Sequence, residues 1–79
     1  MKQINSVEEL IKEINSGHND FFLGGAGWRS SKYITYDDHK FYIFNEIDSS
    51  EQVLTKEELF DSKYTNIGIG IKKGAFYVY

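Results

Sequence analysis

The chain has 79 residues, a formal net charge of −3 and neither cysteine nor proline. This length suits one domain with one core, and 41% hydrophobic and 16% aromatic residues argue against an intrinsically disordered chain. The lack of cysteine excludes disulfides, thiolate zinc sites and cysteine nucleophiles, and the acidic balance disfavours nonspecific binding to nucleic acid.

Cellular location and origin are predicted from the apolar runs and the composition. Residues 1–6 contain no long apolar run, and the runs elsewhere are far too short to span a bilayer, so we expect a soluble, cytoplasmic protein without membrane contact. Eight lysines against one arginine, together with nine isoleucines, fit codons rich in A and T. This composition is associated with bacterial or phage proteins.

The first predicted element is a helix that begins at Ser6. Ser6 and Glu9 have capping-box spacing, in which the Ser6 side chain accepts from the Glu9 N–H and the Glu9 carboxylate reaches back to Ser6. Gly17 is placed to end the helix, which leaves His18 in a loop. The apolar stripe of this helix consists of Val7, Leu10, Ile11 and Ile14.

A β-hairpin is predicted from Tyr33 to Ile47, because two runs of aromatic and β-branched residues flank a polar segment at 37–40. With a strand at 20–23 it would form a meander of three antiparallel strands. In the second hairpin strand, alternation places Phe41, Ile43 and Ile47 on one face and Tyr42, Phe44 and Glu46 on the other. Because both faces are largely apolar, we expect this strand to be central.

The C-terminal part begins with a predicted turn from Asp48 to Glu51. Thr55 and Glu58 form a second capping box, which indicates a short helix, and residues 75–79 form a last strand. These elements predict one α+β domain over residues 1–79, in which the N-terminal helix packs on a mostly antiparallel sheet. One or two short helices would precede the last strand.

The segment 66–74 carries signals for both a strand and a helix. Isoleucines at positions 67, 69 and 71 alternate as in a strand, and the glycines between them disfavour a helix. Asn66 as an N-cap, lysines at 72 and 73, and Gly74 as a C-terminal stop indicate a helix. We favour the helix.

One surface loop, from Gly24 to Lys32, combines backbone freedom, a large aromatic ring, two cations and two hydroxyl groups. Trp and Arg are enriched at interface hot spots, and the two cations form a positive island in an acidic chain. We therefore predict a protein-binding site at Gly25, Gly27, Trp28, Arg29, Ser30, Ser31 and Lys32. The alternative is structural: Trp28 folds over the edge of the core, the glycines serve a wide turn, and the cations are solvated.

Binding of single-stranded nucleic acid is the second functional hypothesis. Tyr33, Tyr42 and Phe44 could form an aromatic face on which bases stack, while Arg29 and Lys32 follow the phosphate backbone. The surrounding glutamates and aspartates and the lack of aromatic RNP motifs weigh against it.

No catalytic, cofactor or metal site is predicted, so an enzyme is the least favoured alternative. The loop lacks the third glycine of a dinucleotide fingerprint and a Gly-Lys-Ser/Thr ending. His18 and His39 fall in different turns, and neither Ser30 nor Ser31 has an evident base.

The sequence thus predicts a small binding module whose partner is a protein of unknown identity. Phages and mobile elements encode many small inhibitors of host defence proteins, and size and composition make this one a candidate by analogy. The sequence indicates neither the oligomeric state nor a ligand.

Overall fold

The computed structural model describes residues 1–25, 28 and 31–79. The described strands are β1 (Lys2–Gln3), β2 (Asp20–Leu23), β3 (Lys32–Asp37), β4 (Lys40–Asn45), β5 (Ser50–Thr55) and β6 (Phe76–Val78). The described helices are α1 (Val7–Asn15), α2 (Lys56–Leu59) and α3 (Ile67–Lys73). None of these three helices is long and apolar enough to cross a membrane.

The strands form one antiparallel sheet in the order β1-β6-β2-β3-β4-β5. This arrangement confirms the predicted α+β class and the antiparallel sheet beneath an N-terminal helix. Two strands that were not predicted, β1 and β5, form the edges of the sheet. As a result β4, which was expected to be central, lies one position from an edge, between β3 and β5.

The segment after β4 differs from the sequence prediction. The turn covers residues 46–49, and Ser50 and Glu51 already belong to β5. Ile47 lies in this turn with 61% of its surface exposed, so its predicted place in the strand, on one face with Phe41 and Ile43, is wrong. Asn45 is the cause, because its Oδ1 accepts a hydrogen bond from the Ile47 N–H at 3.0 Å and ends the strand. The sequence does not indicate β5, since Leu54 is its one buried residue.

The predicted hairpin consists of β3 and β4, which are joined by Asp38 and His39. These two turn residues have positive φ angles of 50° and 64°, as a type I′ turn requires. Ile34 pairs opposite Ile43, and both side chains are buried, so this register is fixed by the core.

The helices cover one face of the sheet, which we call the inner face. The buried strand residues that point to it are Phe21, Leu23, Ile34, Phe41, Ile43, Leu54, Phe76 and Val78. They form a single core with buried helix side chains, since α1 packs on β3, α2 on β5 and α3 on β6. The alternate strand residues point to the opposite, outer face, where none of those described is buried.

Helix starts follow the capping signals closely. At α1 the Glu9 N–H donates to Ser6 Oγ at 3.1 Å, but the Glu9 carboxylate accepts from Asn5 rather than from Ser6. At α2 the full capping box is present. The Glu58 N–H donates to Thr55 Oγ1 at 3.2 Å, and the Thr55 N–H donates to Glu58 Oε1 at 2.9 Å. Local sequence therefore determines where both helices begin.

The ambiguous segment is helical, as predicted, and Gly74 ends α3 with a left-handed φ of 69°. Asn66 does not cap this helix with its side chain. Instead, Thr65 Oγ1 accepts from the Ile67 N–H at 3.4 Å.

The glycines inside α3 serve close packing. A Cβ atom at Gly68 would lie 2.5 Å from the backbone Cα of Phe60, and one at Gly70 would overlap the end of the Leu23 side chain. The helix therefore approaches α2 and β2 more closely than side chains would allow. Tertiary packing thus outweighs the unfavourable helix propensity of glycine.

Truncation of Ile43 should strongly destabilise the protein. Ile43 is buried against the helix layer, and removing most of such a side chain costs about 2–5 kcal/mol, comparable with the whole free energy of unfolding of a small domain. Chemical denaturation of Ile43→Ala should show a mostly unfolded protein.

Thr35→Ala is the matched control for Ile43→Ala, because Thr35 lies half-buried on the outer face of the neighbouring strand. Its cost should be much smaller, since it reflects strand propensity and cross-strand pairing. Equal costs would contradict the assignment of the two faces.

Gly68→Ala should lower the free energy of unfolding. In an open helix the same change stabilises by about 1 kcal/mol, but here the new methyl group meets the Phe60 backbone, which cannot move aside cheaply. Gly70→Ala should cost less, because Leu23 meets it with a flexible side-chain end. Stabilisation by Gly68→Ala in thermal or chemical unfolding would show that α3 does not pack this closely.

Candidate functional site

Of the seven predicted site residues in the loop, the structure describes four, Gly25, Trp28, Ser31 and Lys32. Trp28 is half-buried, and its ring packs edge-on against Phe76 of the core, with centroids 5.9 Å apart and planes at 89°. Gly25 has a left-handed φ of 83°, and Ser31 is half-buried. The other predicted site residues of the loop, Gly27, Arg29 and Ser30, lie outside the described residues.

Lys32 lies on the inner face, beside Trp28. It pairs opposite the buried Phe21, and its Nζ atom is 5.0 Å from the centroid of the Trp28 ring. An ammonium group at this distance is attracted to the negative face of the ring. Lys32 forms no salt bridge with a described residue.

A cleft of about 330 Å³ opens beside these two side chains, on the inner side of the sheet. Its described lining consists of Trp28, Lys32, Ile43, Gln52, Ser62, Tyr64, Thr65 and Asn66. Gln52 holds the far wall in place, because its Nε2 donates to the Tyr64 carbonyl oxygen at 2.8 Å. The sequence does not indicate this cleft, since its described walls come from four separate parts of the chain, the pair Trp28 and Lys32, β4, β5 and residues 62–66, and β5 was not predicted.

The second candidate site is the outer face of the sheet. The predicted aromatic residues are together there: Tyr33 pairs opposite Phe44, and Tyr42 lies on the adjacent row opposite Val53. On the other side of β2, Phe22 pairs opposite Tyr77 and its ring meets that of Tyr79 edge-on at 6.1 Å. We call these seven residues the outer patch: Phe22, Tyr33, Tyr42, Phe44, Val53, Tyr77 and Tyr79.

The charges around the outer patch are mostly negative. Asp20 pairs opposite Tyr33, and Glu51 pairs opposite Phe44, so both carboxylates lie directly beside the aromatic rows. At the hairpin end of the same face Asp37 pairs opposite Lys40. None of these three carboxylates forms a salt bridge with a described residue.

Lys32, the described cation of the nucleic-acid hypothesis, does not join the aromatic residues. Tyr33, Tyr42 and Phe44 lie on the outer face, whereas Lys32 lies on the inner face over Trp28. Arg29 is outside the described residues. The described outer face therefore offers stacking surfaces without the cations that were predicted to follow the phosphates.

The histidines lie in ordinary polar surroundings. His39 is exposed in the turn between β3 and β4, and the ring of His18 bonds to Glu13. Among residues 1–25, 28 and 31–79, no group of three or more His, Cys, Asp or Glu side chains could hold a metal ion.

Comparison with known proteins gave no match. No protein-family model, no curated protein and no solved structure matches the chain. Function is therefore inferred from the geometry of the described residues.

Glu13 is the centre of one further polar cluster. Its carboxylate lies 2.8 Å from Lys2 Nζ and 2.8 Å from His18 Nδ1, and its own side chain is largely buried on α1. The hydrogen bond from Lys2, followed by that from His18, holds the pKa of Glu13 below its usual value of 4.5. The cluster ties β1 and the end of α1 together, which is a structural role.

Glu13→Gln should reduce stability at neutral pH more than at acidic pH. Because the pKa of Glu13 is lowered in the folded protein, its contribution is complete above 4.5 and is lost as the pH falls through the lowered value. We expect the gap in free energy of unfolding between wild type and variant to shrink as the pH falls below about 4.5. A gap that stays constant from neutral pH to about pH 3 would contradict this role of the carboxylate.

Proposed function

We propose that the protein is a binding module that recognises another protein through the outer patch. The observation that carries this proposal is an aromatic sheet face that no described helix covers. Tyr33 is 42% exposed, and Val53 and Tyr79 are also exposed. Contiguous exposed apolar patches are uncommon on proteins that act alone and are typical of interaction sites.

The chemistry of the outer patch suits a protein interface. Tyrosine supplies a large, rigid contact area at little cost in conformational entropy, and it is one of the residue types enriched at hot spots. The rings belong to residues of paired strands, so the backbone that carries them is already ordered before binding. The loss of conformational entropy on binding is therefore small.

The charge of the outer face indicates the kind of partner. Asp20 and Glu51 border the aromatic rows without a described salt-bridge partner, so a partner surface carrying Lys or Arg would complement them. The same cations could lie over the faces of Tyr33 and Phe44. A phosphate backbone would meet these carboxylates unfavourably, so a protein is favoured over single-stranded nucleic acid.

The finer features of this proposal rest on the sequence. The loop from Gly25 to Lys32 stays a predicted contact site, with Trp28 and Lys32 on the inner side. Inhibition of a host protein, a bacterial or phage origin and a cytoplasmic location are predictions from size and composition.

Tyr33→Ala tests the outer patch, and Tyr64→Ala is its matched control. Tyr64 is 43% exposed, almost equal to the 42% of Tyr33, but it lines the inner cleft. Partners captured by the tagged wild type from a lysate of the encoding organism would be purified, and their affinity for both variants measured. We expect Tyr33→Ala to weaken binding about tenfold or more and Tyr64→Ala to leave it unchanged.

Two results would contradict the proposal. If Tyr64→Ala loses partner binding while Tyr33→Ala keeps it, the interface lies on the inner side of the sheet and not on the outer patch. Tight, salt-sensitive binding of single-stranded oligonucleotides that Tyr42→Ala abolishes would instead favour nucleic-acid binding at the same face. Melting temperatures of all variants would separate lost contacts from lost folding.

A further inference from the structure

The cleft beside Trp28 and Lys32 has a chemistry of its own, distinct from that of the outer patch. Of the eight described residues that line it, Lys32 is charged and none is acidic. This is unusual in a chain whose formal net charge is −3. The cleft is therefore a locally positive, largely polar hollow on the inner side of the sheet.

Lys32 is held so that its charge faces the cleft without a close counterion. Its Nζ atom lies over the Trp28 ring at 5.0 Å, and no described carboxylate is within salt-bridge distance. The positive charge of Lys32 nevertheless acts on the Asp48 carboxylate. Hydrogen bonds from Ser50 are the main reason that the pKa of Asp48 is lowered, and the charge of Lys32 lowers it slightly further. An anion in the cleft would thus meet the ammonium group of a half-buried lysine, which lies over the indole ring of Trp28.

The remaining walls supply neutral hydrogen-bond donors. Asn66, whose side chain makes no capping bond to α3, lines the cleft together with Ser62 and Tyr64, two residues that carry hydroxyl groups. Neutral donors and one cation, with no carboxylate among the described lining residues, are the groups that recognise an oxyanion. The volume of about 330 Å³ lies at the lower end of small-molecule pockets.

We propose that this cleft binds the oxyanion group, a carboxylate or a phosphate, of a small organic molecule. Lys32 neutralises the charge, the side chains of Asn66 and Tyr64 donate hydrogen bonds, and the Trp28 ring forms an apolar wall for the body of the ligand. This site lies on the opposite side of the sheet from the outer patch, so the inference goes beyond the proposed protein interface and does not depend on it.

The test uses the indole N–H signal of Trp28, the one tryptophan of the chain, in ¹H–¹⁵N spectra of the 79-residue protein. Benzoate, phenyl phosphate and neutral benzamide share an aromatic body and differ in the head group. We expect a saturable shift with benzoate or phenyl phosphate and none with benzamide, at constant ionic strength. The anion that binds more tightly identifies the head group.

Variants assign the effect to Lys32. Lys32→Gln should weaken binding at least about tenfold, while Lys32→Arg, which keeps the charge, should retain most of it. Lys72→Gln is the matched control, because Lys72 Nζ lies 5.9 Å from the Phe60 ring centroid and does not line the cleft. It should bind like the wild type.

Three outcomes would overturn the inference. The first is that the Trp28 indole signal does not shift with either anion at about 10 mM. The second is that benzamide shifts the signal as much as the anions do. The third is that a folded Lys32→Gln variant binds the anions with unchanged affinity. Spectral dispersion of each variant establishes that it is folded. If the cleft binds no anion but a protein partner still binds to the outer patch, this inference is refuted and the proposed function is not.

Discussion

The burial of one face of the sheet is the interaction on which the rest of the structure depends. The described part of the 79-residue chain provides α1, with 9 residues, and two shorter helices, which cover one side of a six-stranded sheet. Every buried strand side chain therefore points to the same side. The register of the strands, the placement of the helices and the close packing of the α3 glycines all serve to bury that side. A short chain thereby leaves the other side to water or to a partner.

Local signals in the sequence were sufficient where a structure depends on neighbouring residues. Ser6 and Thr55 mark the starts of α1 and α2, and the polar segment around Asp38 marks the hairpin turn. These features need only a hydrogen bond or a dihedral preference within a few residues. The sequence signals for α3 are nearly balanced, because its glycines oppose a helix locally and are explained by tertiary packing, of Gly68 against Phe60 and of Gly70 against Leu23.

Features that depend on distant contacts were not predictable in the same way. β5 has a single buried residue, Leu54, and is a strand because β4 offers it a hydrogen-bonding edge. The residues of β4 were divided correctly between the two faces, with Phe41 and Ile43 buried and Tyr42 and Phe44 on the outer face, because alternation along a strand is a local pattern. The cleft at Lys32 joins the pair Trp28 and Lys32, β4, β5 and the segment before α3, and no local pattern connects those four parts.

Thr55 has two structural roles, as the last residue of β5 and as the N-cap of α2. No linker separates the strand from the helix, so the two meet at one residue that is fixed on both sides by hydrogen bonds. An opening motion of the sheet edge would therefore have to carry the helix with it or break the cap. In terms of cooperativity, β5 and α2 form one unit of local unfolding, and slow amide exchange in one would accompany slow exchange in the other.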